Sequence, residues 1–578
     1  MILLLLIVCG LHGQRSNSSA NYFSKPVSYK YYLSGNFCEL RESHYHAGID
    51  IKSCKCGVPD SILSIGEGHI SRIRVDAGGY GKCLYIEHPA TGYTSVYAHL
   101  DRFNASIEAM VYQKQLETES YEVDFLPEPH IFPVNKGSFI GILGNTGYSF
   151  GPHLHFEVRD TKKDVPVNPF LLGFEVKDHV QPILQTLAVH GLDQEMYKIS
   201  DVRYPLMQES GQEIEIPGVI SVRGCRAGVA LQAFDRSTGS SNKLGLYRIR
   251  AYVDDSLIYF SQLDKISFDQ AKYIDGCVDY LAKRAEGKTF ELCYQFPGND
   301  AEFIYSKGNG IIHLDQGIIR NVRIHAEDFN GNAKTLLFRI QLDKSIEDDT
   351  ISIRPGRFIS VRDSIEIQEG NLKLRLGPGH LFRNIFLKLD RNGEAEKEPK
   401  YTIHDESEPV KSVFPLFIKP EILREDKLEK AVIVKFDTKN GRVSYGGIWQ
   451  DGYLSAQVKE FGVYGIVYDT IAPSIKPVEF TVLPTNKNRF TFSIKDNLPI
   501  KGSMAHKLRY RVWIDSVFTV APFSSKNAIL EVPLQNISEG KHHLKIEAVD
   551  HSGNISWFET DFTRKATVNK AKGRKKTS

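Results

Sequence analysis

The chain has 578 residues, a formal net charge of +2, and a composition that is 41% hydrophobic and 25% charged. That length is too great for one domain, and about three to five are expected. A charge so near zero excludes a nucleic-acid footprint. No segment beyond the N-terminus is long and apolar enough to form a transmembrane helix.

The first residues carry ILLLLIV, an apolar run too short to span a bilayer, followed by small residues. It reads as an export signal cleaved after Gly13, which places the mature protein in the periplasm or cell envelope, or outside the cell. Cys9 suggests a lipoprotein, but Val8 is a poor residue ahead of a lipidated cysteine. Of eight cysteines none follows Cys293, and loss of Cys9 leaves an odd number. Export permits disulfides, and Cys38 and Cys83 are candidate partners. Cys54 and Cys56 form a lone Cys-x-Cys pair, a weak signal for a second, structural zinc.

Residues 46–155 hold the chemistry. His46 and Asp50 lie in HAGID, His99 in SVYAHLD, and His153 and His155 in GPHLHFEVRD. Imidazole and carboxylate are the ligands zinc takes in hydrolytic sites, which use three protein ligands and keep a fourth position for water. HLHFEV alternates and reads as a strand, so His153 and His155 share a face. His46 and Asp50 are also an even number apart, so an extended segment would aim both the same way. Glycines crowd both motifs (Gly48, Gly141, Gly144, Gly147, Gly151) and permit close backbone approach. Spacing alone leaves open which histidine of the pair is the ligand.

HAGID, YAHL, GNTG and GPHLHFEVRD resemble the signature blocks of the lysostaphin-type (LytM-like) zinc endopeptidases, which cut peptide cross-links in bacterial peptidoglycan. The resemblance covers roughly residues 38–170. It implies one Zn2+ on His46, Asp50 and His155, with His99 and His153 as non-ligand catalytic histidines. It also implies peptidoglycan stem peptides as substrate. Relatives in this family can be latent through a fourth ligand, and Asn36 and His44 lie upstream of His46 where they could supply one. Some relatives lose their zinc ligands and act as scaffolds or activators of other wall hydrolases, which makes a non-catalytic envelope scaffold one alternative for this chain; a surface-binding protein whose β units do the work, with a vestigial peptidase, is another. All five residues are present here. The chain departs from shorter relatives in a long insertion over 101–133, either a wall of the cleft or a solvated excursion.

Beyond residue 173 the sequence turns to short alternating strands and contains an internal repeat. Asp178 in DHVQP parallels Asp469 in DTIAP, Asp235 parallels Asp496, and HAEDFNGN from His325 parallels EAVDHSGN from Glu547, in the same order. The spacing predicts immunoglobulin-like sandwiches. The Asp-x-x-Gly-Asn segments fit strand-end turns, and one such turn supplies too few oxygens for calcium. His190, His313, His404 and His506 are expected on surfaces.

The sequence therefore predicts a mainly-β protein: a signal peptide at 1–13 and a LytM-like antiparallel β-sheet peptidase at 14–173, self-sufficient in size. A sandwich with an aromatic-rich insertion follows at 174–344, then a β-rich unit at 345–466, a second sandwich at 467–565, and a basic tail at 566–578. No nucleic-acid partner is expected, and envelope partners would dock on the β units.

Overall fold

The computed structural model describes residues 22–207, 211–343, 354–392, 399–437, 441–501 and 508–565. The expected signal segment, Cys9, His506 and the basic tail lie outside the described residues. The chain is mainly β, with 47% of residues in strands and 8% in helices. No helix among the described residues is long and apolar enough to cross a membrane.

The first unit is an 11-stranded antiparallel sheet. Its centre is the strand His153–Asp160, flanked by Ile49–Lys52 on one side and Tyr93–Phe103 on the other. Side chains alternate across the pleat, and the sequence obeys that alternation strictly. Leu154, Phe156 and Val158 point to the core and are fully buried beside Ile49, Ile51 and Tyr97. His153, His155, Glu157 and Arg159 take the other face. Gly48 allows the first motif to lie flat on this strand: a Cβ there would sit 2.4 Å from the Phe156 carbonyl oxygen.

The insertion after Asp101 is structured. Asn104 caps the helix Ala105–Glu117, accepting from the Ile107 amide, and the helix buries Ile107, Val111 and Gln115 on one stripe. The strand Val123–Phe125 then extends the sheet along Gly68–Val75. The insertion is thus a flank of the sheet, not a solvated excursion.

The later units are β-rich. In each, two sheets contribute to one core: Val189 and Val229 face Ile324 and Phe338, Leu374 and Leu416 face Ile433 and Tyr464, and Phe490 and Phe492 face Ile546 and Phe562. In the first of these units the strands Glu213–Glu215 and Ile220–Val222 pair parallel to Ala333–Leu342. Two expectations are corrected here. His190 is fully buried, its Nδ1 facing the Tyr294 hydroxyl at 3.1 Å and its Nε2 lying 3.4 Å from Asp279; its strand is central, so no surface was available to it. Cys38 and Cys83 are buried free thiols, while Cys54 and Cys56 are joined to each other.

The peptidase core does not close at Gly173. Leu244, Tyr247, Leu263, Ile266, Ile274 and Val278, all from the following unit and its insertion, belong to the same buried cluster. The Tyr45 amide donates to the Ala271 carbonyl, and Asn168 donates to the Leu263 carbonyl. The last unit also returns to the peptidase. The Ser525 amide donates to the Ala77 carbonyl, Lys526 Nζ donates to the Ser149 carbonyl at 2.7 Å, and Arg511 pairs with Glu119 of the insertion. Full burial of one aliphatic side chain stabilises by about 1.5–3 kcal/mol, so losing the 244–278 surfaces is costly. A chain shortened to end at Gly173 should be insoluble, or melt at least ~5 °C below one ending at Leu342. Equal melting temperatures by scanning calorimetry would show that the peptidase closes its core alone.

Candidate active site

The five residues singled out in the sequence converge. Strand register does most of the placing. His155 pairs directly with Asp50 on one side and with Ala98 on the other, so directly opposed side chains rise from the same face. His46 enters from the loop just before this strand pair. Three donor atoms then form a near-equilateral triangle. His46 Nε2 is 3.0 Å from His155 Nδ1 and 3.1 Å from Asp50 Oδ1, and His155 Nδ1 is 3.0 Å from the same oxygen. All three residues are buried. Donors about 2.0–2.1 Å from a tetrahedral ion stand about 3.3 Å apart. The triangle therefore admits a metal ion with an adjustment of a few tenths of an ångström, and two imidazoles with a carboxylate are a donor set suited to it.

Each of the three is held from behind. His46 Nδ1 faces the Asn36 carbonyl at 2.8 Å, the second oxygen of Asp50 accepts from Arg41 at 2.6 Å, and His155 Nε2 donates to Glu157 at 2.8 Å. Such partners fix ring orientation and tautomer. Glu157 is in turn bound by Arg159 at 2.7 Å and by the Tyr80 hydroxyl. Asn36 and His44 do not offer a further ligand. The Asn36 side chain is spent on both the amide and the carbonyl of Gly245, and His44 is exposed beside Ser43. Asn36 serves the site through its backbone instead.

His99 and His153 stand beside the triangle. Their ring centroids are 4.8 Å apart, and His99 is 5.9 Å from His155. His153 Nε2 lies 3.6 Å from Asp50 Oδ1, farther than His155 Nδ1. His153 Nδ1 faces the Gly151 carbonyl at 2.8 Å and Ser149 Oγ at 3.2 Å, and His99 Nδ1 faces the Thr146 carbonyl at 2.9 Å. A carbonyl can only accept, so both rings carry a proton on Nδ1, and in the neutral imidazole Nε2 is the acceptor. His99 reaches the site through a left-handed backbone, φ 62°. Ala98, opposite His155, already points to the site face, and strict alternation would send His99 to the other. The local break re-aims the ring, a backbone conformation that non-glycine residues keep only where the surroundings enforce it.

Charge is balanced around these groups. Burial opposes ionisation of Asp50, but His46 and His155 hold its carboxyl well below the usual range. Burial likewise works against Glu157, yet Arg159 and His155 bring it down to about 2. Without metal, burial is overcome at His155 by Asp50 and Glu157, which raise it to about 9. Burial, then His155 and His153, lower His99 to about 3, keeping it neutral. A divalent ion held by the triangle would take the place of the proton on His155 Nδ1, with the Nε2 proton still donated to Glu157.

Glu157, Arg159, Arg41 and Tyr80 were not anticipated from the sequence. Glu157 and Arg159 continue the His153, His155 face at the same period of two, which would have shown them. Arg41 and Tyr80 arrive by tertiary packing and leave no such signal.

The profile "Peptidase family M23" matches residues 44–120, which contain His46, Asp50 and His99, and a Zu5-like domain profile matches residues 357–469. The DD-carboxypeptidase/endopeptidase Mpg of Neisseria meningitidis is 34% identical over 136 residues, covering 24% of this chain and 24% of that protein. A metalloprotease of Buchnera aphidicola is 31% identical over 177 residues, covering 28% of this chain and 39% of that one. The chain thus spans two fifths or less of the length of these curated relatives. Among solved structures, the catalytic domain of lysostaphin from Staphylococcus simulans is 21% identical, with 27% of this chain and 96% of that chain covered and a TM-score of 0.18. With the motif blocks and the profile match in agreement, the chain carries, in its first third, a domain of peptidase family M23, the lysostaphin (LytM) family.

Proposed function

We propose that this protein is an exported, zinc-dependent metalloendopeptidase that hydrolyses peptide cross-links of bacterial peptidoglycan. The observation that carries the reading is the intact constellation: three metal-donor atoms in a closed triangle, with two further histidines presenting free Nε2 atoms beside it. A scaffold that had lost its chemistry would have no need of both sets. Kinship with a DD-carboxypeptidase/endopeptidase supports stem peptides as the substrate class.

His46, Asp50 and His155 would hold the zinc. Zinc so held supplies Lewis-acid polarisation of the scissile carbonyl and acidifies water toward neutral pH. The remaining steps fall to the chain. Nε2 of His99 or His153 takes the proton of the attacking water, because Nδ1 of each ring is committed to a carbonyl. The imidazolium so formed stabilises the oxyanion and donates to the departing amine. Asp50, its second oxygen bound by Arg41, remains ionised throughout. Glu157 and Arg159 act as positioning residues, fixing the His155 ring. The β units that follow would mount the peptidase in the envelope and offer surfaces for polymer or protein partners.

Asp50→Ala removes the charged corner of the triangle. Zinc content by elemental analysis should fall severely, and stoichiometric retention would show that the ligand set is wrong. His99→Ala and His153→Ala should each retain zinc yet lose about 100-fold or more in muropeptide release from purified sacculi. Zinc lost from His153→Ala but kept by His155→Ala would reverse their roles. Glu157→Gln leaves the triangle whole but weakens its support, so zinc affinity should fall about 10–100-fold. Unchanged affinity in a competition titration would remove the case for support through the ring.

A further inference from the structure

We propose that Asp178, Asp235 and Asp328 form a calcium site that locks the first repeat unit at its junction with the peptidase. The three come from separate parts of the sequence: the segment leading out of the peptidase, the end of the strand Arg226–Phe234, and the turn after the strand Ile319–Glu327. One such turn cannot hold calcium, but the fold brings three segments to one point. A ligand oxygen from each lies within 4.8 Å of the others, no more than twice a calcium–oxygen distance of about 2.4 Å.

All three carboxylates are buried, with Asp235 only 4% exposed. Asp178 and Asp328 have partial compensation. Asp178 accepts from the amides of His179, Val180 and Thr238 and from the Thr238 hydroxyl, and Asp328 accepts from the amide and side chain of Asn332. Asp235 Oδ1 has no hydrogen-bond partner, and neither has the buried Ser237 hydroxyl two residues on. A buried carboxylate oxygen left unpaired beside two further carboxylates is costly. Burial first, then Asp328 and Asp178, push the Asp235 carboxyl up to about 7, and burial raises Asp328 to about 6. A bound cation resolves that cost. The donors are all oxygen, without imidazole or thiolate, which selects a hard divalent ion. Calcium fits better than magnesium, because carboxylates pinned by amides cannot rearrange into the near-ideal octahedron magnesium demands.

Position gives the site its purpose. Asn332 donates to the Asp178 carbonyl and Asn330 to the Val176 carbonyl, while Phe329 packs 5.1 Å from Phe170 of the peptidase. An ion here would tie the exit segment of the peptidase to two strand ends of the next unit. The second repeat copies the triad as Asp469, Asp496 and Asp550. There Asp469 accepts from Ser552, His551 lies 3.8 Å from Asp496, and Lys430 donates to the Ser552 carbonyl. The assignment is made for the first triad alone.

The test uses the full chain, stripped of calcium on a chelating resin and reloaded with one equivalent of zinc. Calorimetric titration with calcium chloride should show one ion per chain, with a Kd of about 1 mM or tighter. The melting temperature should rise by ~2 °C or more in ~5 mM calcium, and not in equal magnesium. Asp235→Asn should abolish both responses, yet melt at or above the wild-type temperature in calcium-free buffer, because it replaces a buried carboxyl crowded by two others with a neutral amide. Asp328→Asn should also abolish binding, and Asp496→Asn should preserve it. The proposal is overturned if the wild type takes up no calcium at ~5 mM. It is also overturned if Asp235→Asn binds calcium unchanged, or if that variant melts lower than wild type without calcium.

Discussion

The register of one strand governs this molecule. His153–Asp160 lies between Ile49–Lys52 and Tyr93–Phe103, and its pairing sets His155 opposite both Asp50 and Ala98. Because side chains alternate with a period of two, a slip of one residue would exchange the faces. It would drive Leu154, Phe156 and Val158 out to the site and the histidines into the core. The hydrophobic burial of one face therefore enforces the metal geometry on the other. The chemistry rests on core packing that never touches it.

Electrostatics imposes the second condition. The site face carries Asp50 and Glu157, both buried, and buried carboxylates are tolerated only when paired. Arg41, partly exposed, and the buried Arg159 supply the pairing, and each reaches a carboxylate oxygen not aimed at the triangle. The positive groups thus anchor the ligands without competing for their donor atoms. The Arg159 guanidinium also lies 4.5 Å from the Phe268 ring, so the insertion of the following unit covers the outer end of this chain of contacts. The unit that follows is part of the wall behind the site.

Much of the site was legible in the sequence, and for a physical reason. Asp50, His153 and His155 lie on strands, where spacing translates directly into side-chain direction, whereas His46 sits in the loop before Ile49–Lys52 and was legible through its motif. His99 was recognisable only through its motif, since it reaches the site by breaking alternation at φ 62°, and no periodicity foretells that. The three aspartate segments of each repeat could be aligned in order from the sequence, but their convergence could not be read, because it depends on how two sheets are stacked. His190 was misplaced for the same reason: a lone histidine gives no sign of whether its strand is central or at an edge. The Asn36 side chain bonds to Gly245, 209 residues away, a contact of a kind local sequence does not encode.

The account stands or falls on the three-cornered donor set. Anomalous diffraction at the zinc absorption edge, from crystals of the full chain grown with zinc, tests it most directly. The account predicts one strong peak about 2.0–2.2 Å from His46 Nε2, Asp50 Oδ1 and His155 Nδ1, with the His153 and His99 rings outside bonding distance. A peak bonded to His153 in place of His155, or none within the triangle, would contradict it.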